Sequence, residues 1–185
     1  IWYSENKKVF IGHTRLSIID PTEFSNQPFY DSENKIIITY NGELYNYHDL
    51  RKELIDLGYK FNTSSDTEVI VKLYIHYKES MLDKMIGMFA FCIYDIEKNE
   101  FFLARDHYGI KPLYYYKDSQ RFIFSSQVKS LVECDYIIKD VSAVAVCSFL
   151  INGSVMEPFT MYKNIQAMEP GINIGLMVKL KVVLH

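Results

Sequence analysis

A chain of 185 residues with 49% apolar and 15% aromatic side chains is long enough for one domain with a filled core, which excludes a disordered or low-complexity chain. A net charge of -3 gives no electrostatic reason to expect nucleic acid or an anionic membrane surface, and no apolar run reaches the ~20 residues of a membrane-spanning helix. Cys92, Cys134 and Cys147 form an odd set without metal-type spacing, better suited to a reducing cytoplasm than to a disulfide framework.

In chain order, residues 9–13 and 16–19 predict two short strands, broken near Thr14-Arg15 and ended by Asp20-Pro21. Residues 22–34 are polar, contain Pro28, and are expected as surface loop and turn. The β-branched and aromatic run 36–40 predicts a buried strand, and Asn41-Gly42 a sharp turn at its carboxyl end. A helix over 47–57 follows, with Asn46 able to cap it, Leu50, Leu54 and Leu57 on one face, and Gly58 closing it. The stretch 63–66 offers Ser or Asp caps for a second helix over 67–78, with Val69, Ile70, Leu73 and Tyr77 turned inward. Residues 87–94 and 100–104 predict a hairpin, as do 114–116 and 121–124; residues 126–133 and 141–152 look helical. Hairpins and consecutive helices together predict an α+β fold, a mostly antiparallel layered sandwich with helices packed outside. The tail 175–185 is apolar, basic and strand-like, and residues 172–185 are left unassigned as tail or linker.

Three polar elements stand at predicted strand ends or helix starts: Arg15, then Asn41, Gly42 and Glu43, then Asp66. A guanidinium binds both oxygens of a carboxylate, and a carboxylate binds an ammonium, so Arg15 and Asp66 together would suit a free amino acid. A side-chain amide beside a backbone N–H, as at Asn41-Gly42, could hold a developing oxyanion. Each piece alone has a plainer reading: a surface ion pair, a turn, an ordinary helix cap. The five histidines show no HxH or HxxxH pairing, so no metal is expected, and no Gly-x-Gly-x-x-Gly or P-loop points to a nucleotide. Arg105-Asp106 is expected to be a local charge pair pinning the loop before Gly109, and Lys111 a solvated loop lysine.

Five motifs follow one another in order: residues 13–20 (HTRLSIID), 40–46 (YNGELYN), 65–70 (SDTEVI), 87–91 (GMFAF) and 104–114 (ARDHYGIKPLY). Over residues 1–171 this pattern resembles the glutaminase domain of glutamine-hydrolysing asparagine synthetase, a class II glutamine amidotransferase. The resemblance implies the N-terminal-nucleophile hydrolase fold, a four-layer αββα sandwich. It also implies an N-terminal cysteine that attacks the glutamine side-chain amide, with its own α-amine as base, and releases ammonia from a glutamyl thioester. Carried onto this chain, Arg15, Leu16, Ser17, Ile18 and Ile19 would border the glutamine pocket, with Arg15 on the substrate carboxylate. Asn41 and Gly42 would form the oxyanion hole, Glu43 would line the site, and Asp66 would hold the ammonium.

The family's opening cysteine and first strand have no counterpart here, so the sequence is expected to be a domain incomplete at its N-terminus and inactive as written. The ATP-dependent synthetase loop has no counterpart either: no cofactor is expected in this domain, and ATP with Mg only in a synthetase domain outside it. Gln127 stands where the family has a glutamate. The expected setting is cytoplasmic, with L-glutamine and the parent chain's synthetase domain as partners and a homodimer left open. Two alternatives stay beside asparagine synthesis: a related synthetase acting on another acceptor such as a surface-sugar precursor, and a non-catalytic glutamine- or partner-binding module.

Overall fold

Apolar β-branched and aromatic runs dictate the centre of the molecule. The computed structural model describes residues 1–14, 26–177 and 181–184. In chain order its strands and helices are β1 (Trp2–Tyr3), β2 (Phe10–Ile11), β3 (Phe29–Asp31), β4 (Ile36–Leu44), α1 (Tyr47–Asp56), α2 (Asp66–Tyr77), β5 (Gly87–Asp95) and β6 (Glu100–Arg105). There follow β7 (Tyr114–Lys117), β8 (Arg121–Ser125), α3 (Val128–Val132), α4 (Ala143–Asn152), β9 (Ile165–Ala167), β10 (Asn173–Met177) and β11 (Lys181–Leu184). Residues Lys78–Lys84 continue α2 as a 3-10 helix.

Five strands form one antiparallel sheet in the order β10-β6-β5-β4-β3, and four form a second in the order β11-β8-β7-β9. Strand alternation distributes β4 between two cores. Ile36, Ile38 and Tyr40 face α1 and α2, where they meet Leu54, Ile70, Leu73 and Phe91. Ile37 faces the second sheet, in a core with Cys92, Leu103, Phe122 and Phe124. The outer face of the second sheet packs Ile123 and Ile165 against Leu131 of α3. The result is the helix–sheet–sheet–helix stack expected from the sequence. Fully buried Phe89, Phe91, Phe101 and Phe122 anchor it, each worth roughly 1.5–3 kcal/mol of burial. A buried ion pair, Lys72 Nζ to Asp31 Oδ2 at 2.5 Å, fastens α2 to the edge strand β3. Burial pushes the Asp31 carboxyl up, but Lys72 and the Asn34 donors outweigh it and hold the group below its ordinary value.

Several expectations are corrected. Asn41-Gly42 is not a turn: β4 runs straight through it to Leu44, in unbroken register with β5 from Ile36↔Asp95 to Leu44↔Gly87. Gly42 makes this crossing possible, because a Cβ there would stand 2.2 Å from the Met88 carbonyl oxygen. The stretch expected as loop contains β3, whose three residues Phe29, Tyr30 and Asp31 are too few to stand out beside Pro28 in a polar stretch. Asn46 caps nothing; its side chain receives the Ile86 N–H and donates to the Lys84 carbonyl. Leu57 is about half exposed instead of buried. The tail, read as strand-like but left without a partner, finds two: residues 173–177 form β10 on β6 and residues 181–184 form β11 beside β8. The segment 16–19 lies outside the described residues.

Candidate functional site

A cavity of about 1070 Å³ opens between the two sheets and reaches over the far end of β4. Its walls include Gly12 and His13 beyond β2, Thr39, Asn41 and Gly42 of β4, Asp66 of α2, and Lys111 with Pro112 before β7. The His13 ring Nδ1 lies 3.0 Å from Thr39 Oγ1, which ties the β2 end to β4 beside Asn41.

The outer edge of β4 carries the most informative geometry. Its neighbour β3 pairs only with residues 36–38, so from Thr39 onward that edge lacks a strand among the described residues. Alternate amides of a strand point to the same side. The Tyr40 N–H goes outward to Gln27 Oε1 at 2.6 Å, and the Leu44 N–H goes outward to Asp66 Oδ2 at 3.2 Å. Gly42 lies between them, and the register has no bulge, so its N–H points to the same open edge. Nothing among the described residues accepts it. A backbone donor held in a rigid sheet with no Cβ to shield it is the arrangement an oxyanion needs.

Asp66 stands at one end of this edge because α2 begins there. Ser65 is the true cap, its Oγ accepting the Thr67 N–H at 3.1 Å, so Asp66 is released from that duty. The preceding loop is fixed by buried Glu68, whose carboxylate accepts the N–H groups of Asn62 and Thr63 and the Thr63 hydroxyl. Asp66 Oδ2 accepts the Tyr40 hydroxyl at 3.0 Å as well as the Leu44 amide. Burial pushes the Asp66 carboxyl above its ordinary value despite these donors. A desolvated carboxylate lining a cavity is short of positive charge, which a substrate ammonium supplies. Burial and the neighbouring Asp66 likewise hold the Tyr40 hydroxyl protonated, as a donor.

The loop on the opposite rim is built differently from the expected Arg105–Asp106 pair. The two side chains serve separate partners. Asp106 accepts the N–H groups of Phe89, Tyr108, Ile110 and Lys111, and these backbone donors hold its carboxyl low against the opposing effect of burial. Arg105 donates to the carbonyls of Lys111, Gly109 and Met168 and to Glu157. Together they fix residues 107–112 and so place Lys111 and Pro112 on the cavity rim.

The structure thus brings Asn41, Gly42, Glu43 and Asp66 to one cavity. Arg15, Leu16, Ser17, Ile18 and Ile19 lie outside the described residues. Sequence reasoning missed Gln27 and Tyr40; a Gln before Pro in a polar stretch carries no signal of its own. Cys92 lines the cavity but is fully buried, with its thiol pushed well above the ordinary value, while Cys134 is buried and Cys147 is exposed. No group of three or more metal-type side chains occurs among the described residues.

A family model for the glutamine amidotransferase domain matches residues 1–181. Asparagine synthetase [glutamine-hydrolyzing] 1 of Bacillus subtilis is 41% identical over 169 residues, covering 91% of this chain and 26% of its own. Putative asparagine synthetase 2 of Methanocaldococcus jannaschii is 36% identical, over 94% of this chain and 36% of its own. Amidase chry2 of Gibberella zeae is 40% identical, over 71% of this chain and 19% of its own. The chain therefore spans about a quarter to a third of the length of the two synthetases. Among solved structures, the glutamine phosphoribosylpyrophosphate amidotransferase of B. subtilis shares the fold, with a TM-score of 0.59 at 22% identity over 90% of this chain and 32% of that one. With the matched residues spanning nearly the whole sequence, the chain belongs to the glutamine amidotransferase domain family.

Proposed function

We propose that this chain is the glutamine-binding domain of an asparagine synthetase, where it releases ammonia from L-glutamine for the conversion of aspartate to asparagine. The observation that supports it most is the Gly42 N–H, which points to the outer edge of β4 and has no acceptor among the described residues, on the edge whose Leu44 N–H is held by the desolvated Asp66 carboxylate. Asp66 takes the substrate ammonium and Arg15 its carboxylate, with Leu16, Ser17, Ile18, Ile19 and Glu43 bordering the pocket. A cysteine thiolate adds to the side-chain carbonyl carbon, and the oxygen becomes an anion held by Gly42 N–H and the Asn41 amide. The carbon–nitrogen bond then breaks, the leaving nitrogen takes a proton to become ammonia, and water hydrolyses the thioester to glutamate. Removing one oxyanion donor costs on the order of 10²–10³ in rate at comparable sites.

Cys92, Cys134 and Cys147 are unsuited to that attack, since two are buried and the third lies on α4 away from the cavity lining. The 185 residues assayed alone are expected to release ammonia from glutamine only at background. Release well above background, abolished by Asn41→Ala, would overturn that statement. ATP and Mg belong to the synthetase domain in this proposal, and the setting is cytoplasmic; among the described residues no helix is long and apolar enough to cross a membrane. Amidase chry2 carries a similar domain under a different name, which keeps a second acceptor chemistry in play.

A further inference from the structure

Gln27 is a cavity-lining residue that the proposed mechanism leaves without work, and it stands at the same edge of β4 as Gly42. Its Oε1 accepts the Tyr40 N–H at 2.6 Å. That contact settles the orientation of the carboxamide, because an N–H cannot point at an NH₂ group. The Nε2 end, with two donors, is therefore turned away from the strand, and nothing among the described residues accepts from it. Successive outward amides of a strand are about 6.6–6.8 Å apart. Along the outer edge of β4 the order is Asp66 at Leu44, the Gly42 N–H without an acceptor among the described residues, then Gln27 at Tyr40. A glutamine lying along this edge with its ammonium on Asp66 places its side-chain carboxamide between Gly42 and Gln27, the carbonyl oxygen facing both the Gly42 N–H and Gln27 Nε2. Tyr40 links both ends, through its N–H to Gln27 and its hydroxyl to Asp66.

We propose that Gln27 is a substrate-contacting residue whose Nε2 donates a hydrogen bond to the side-chain carbonyl oxygen of bound glutamine, beside the Gly42 N–H. This inference rests on the glutamine-binding function proposed above. The same contact selects a terminal carboxamide over a shorter or purely apolar side chain.

The test separates the two ends of the Gln27 side chain. Gln27→Glu keeps an oxygen for the Tyr40 N–H but replaces the donor with a second oxygen; Gln27→Ala removes both. Calorimetric titration of the chain and both variants with L-glutamine, with thermal midpoints measured alongside, is expected to show at least a tenfold loss of affinity for Gln27→Glu at an unchanged midpoint, and a loss for Gln27→Ala as well. Wild-type affinity for Gln27→Glu would show that the residue only clasps β4 and would overturn the proposal. Binding lost in Gln27→Glu together with its thermal midpoint would also count against it, as a structural role. No binding by the unaltered chain would overturn the glutamine-site function and this inference together, an outcome distinct from a silent Gln27→Glu.

Discussion

Gly42→Ala is the sharpest perturbation of the candidate site, because it disturbs the strand crossing without adding a polar group. An alanine Cβ would stand 2.2 Å from the Met88 carbonyl oxygen and 2.8 Å from Phe89 Cα, both backbone atoms that cannot rotate away. Relieving the shorter contact to ~3.2 Å requires β4 and β5 to part locally by about 1 Å, against an ordinary strand spacing of about 4.8 Å. Since Tyr40 and Leu44 donate outward, Asn41 is the residue that exchanges both ladder bonds with Ala90. Lengthening bonds of ~2.9 Å by a further ~1 Å removes them. Two lost bonds at about 1 kcal/mol each, with about 1–3 kcal/mol for the polar groups left desolvated, give a loss of about 3–5 kcal/mol. The assay is urea denaturation beside Gly12→Ala, whose Cβ would meet only Ile1 Cγ1 at 3.9 Å. Gly42→Ala is expected to fall several kcal/mol below Gly12→Ala and to lose glutamine binding. Equal stability of the two variants would refute the close-approach reasoning.

Asp66→Asn should abolish glutamine binding in a calorimetric titration without lowering the urea midpoint at neutral pH. The sign follows from burial: an acid whose folded pKa is raised stabilises the fold below its unfolded pKa, and that contribution is lost as pH rises through the folded value. Ionised Asp66 therefore opposes folding at neutral pH, and the difference from Asp66→Asn should narrow on acidification; a destabilised Asp66→Asn at pH 7 contradicts this. Lys72→Met leaves Asp31 charged and buried, and should cost about 3–5 kcal/mol by denaturation, much of it recovered in Lys72→Met/Asp31→Leu. A single variant as stable as the parent would show that the pair is not a fastening.

The layered fold was legible because it rests on periodicity. The alternation of Ile36, Ile37 and Ile38 between two cores, and the inward stripe Val69, Ile70 and Leu73, are patterns of adjacent residues. Asn41, Gly42 and Asp66 could be picked out as residue types, and the ordered motifs brought them together. What the sequence hid is non-local. An Asn-Gly pair reads as a turn until β5 is known to pair along it. Asp66 reads as a cap until Ser65 is seen to do that work. Arg105 and Asp106 are neighbours that turn to different partners, Glu157 and the backbone of the 107–111 loop. The Gly42 N–H points outward because of its register with β5 and lacks a strand partner among the described residues because β3 stops at residue 38, neither of which a local pattern encodes.

The central claim is an amino-acid site along the open edge of β4. Calorimetric titration of the 185-residue chain with L-glutamine and D-glutamine tests it most directly. Saturable binding of the L form, absent for the D form, is the result predicted. No heat with L-glutamine, from a chain shown to be folded by its cooperative denaturation, would contradict it.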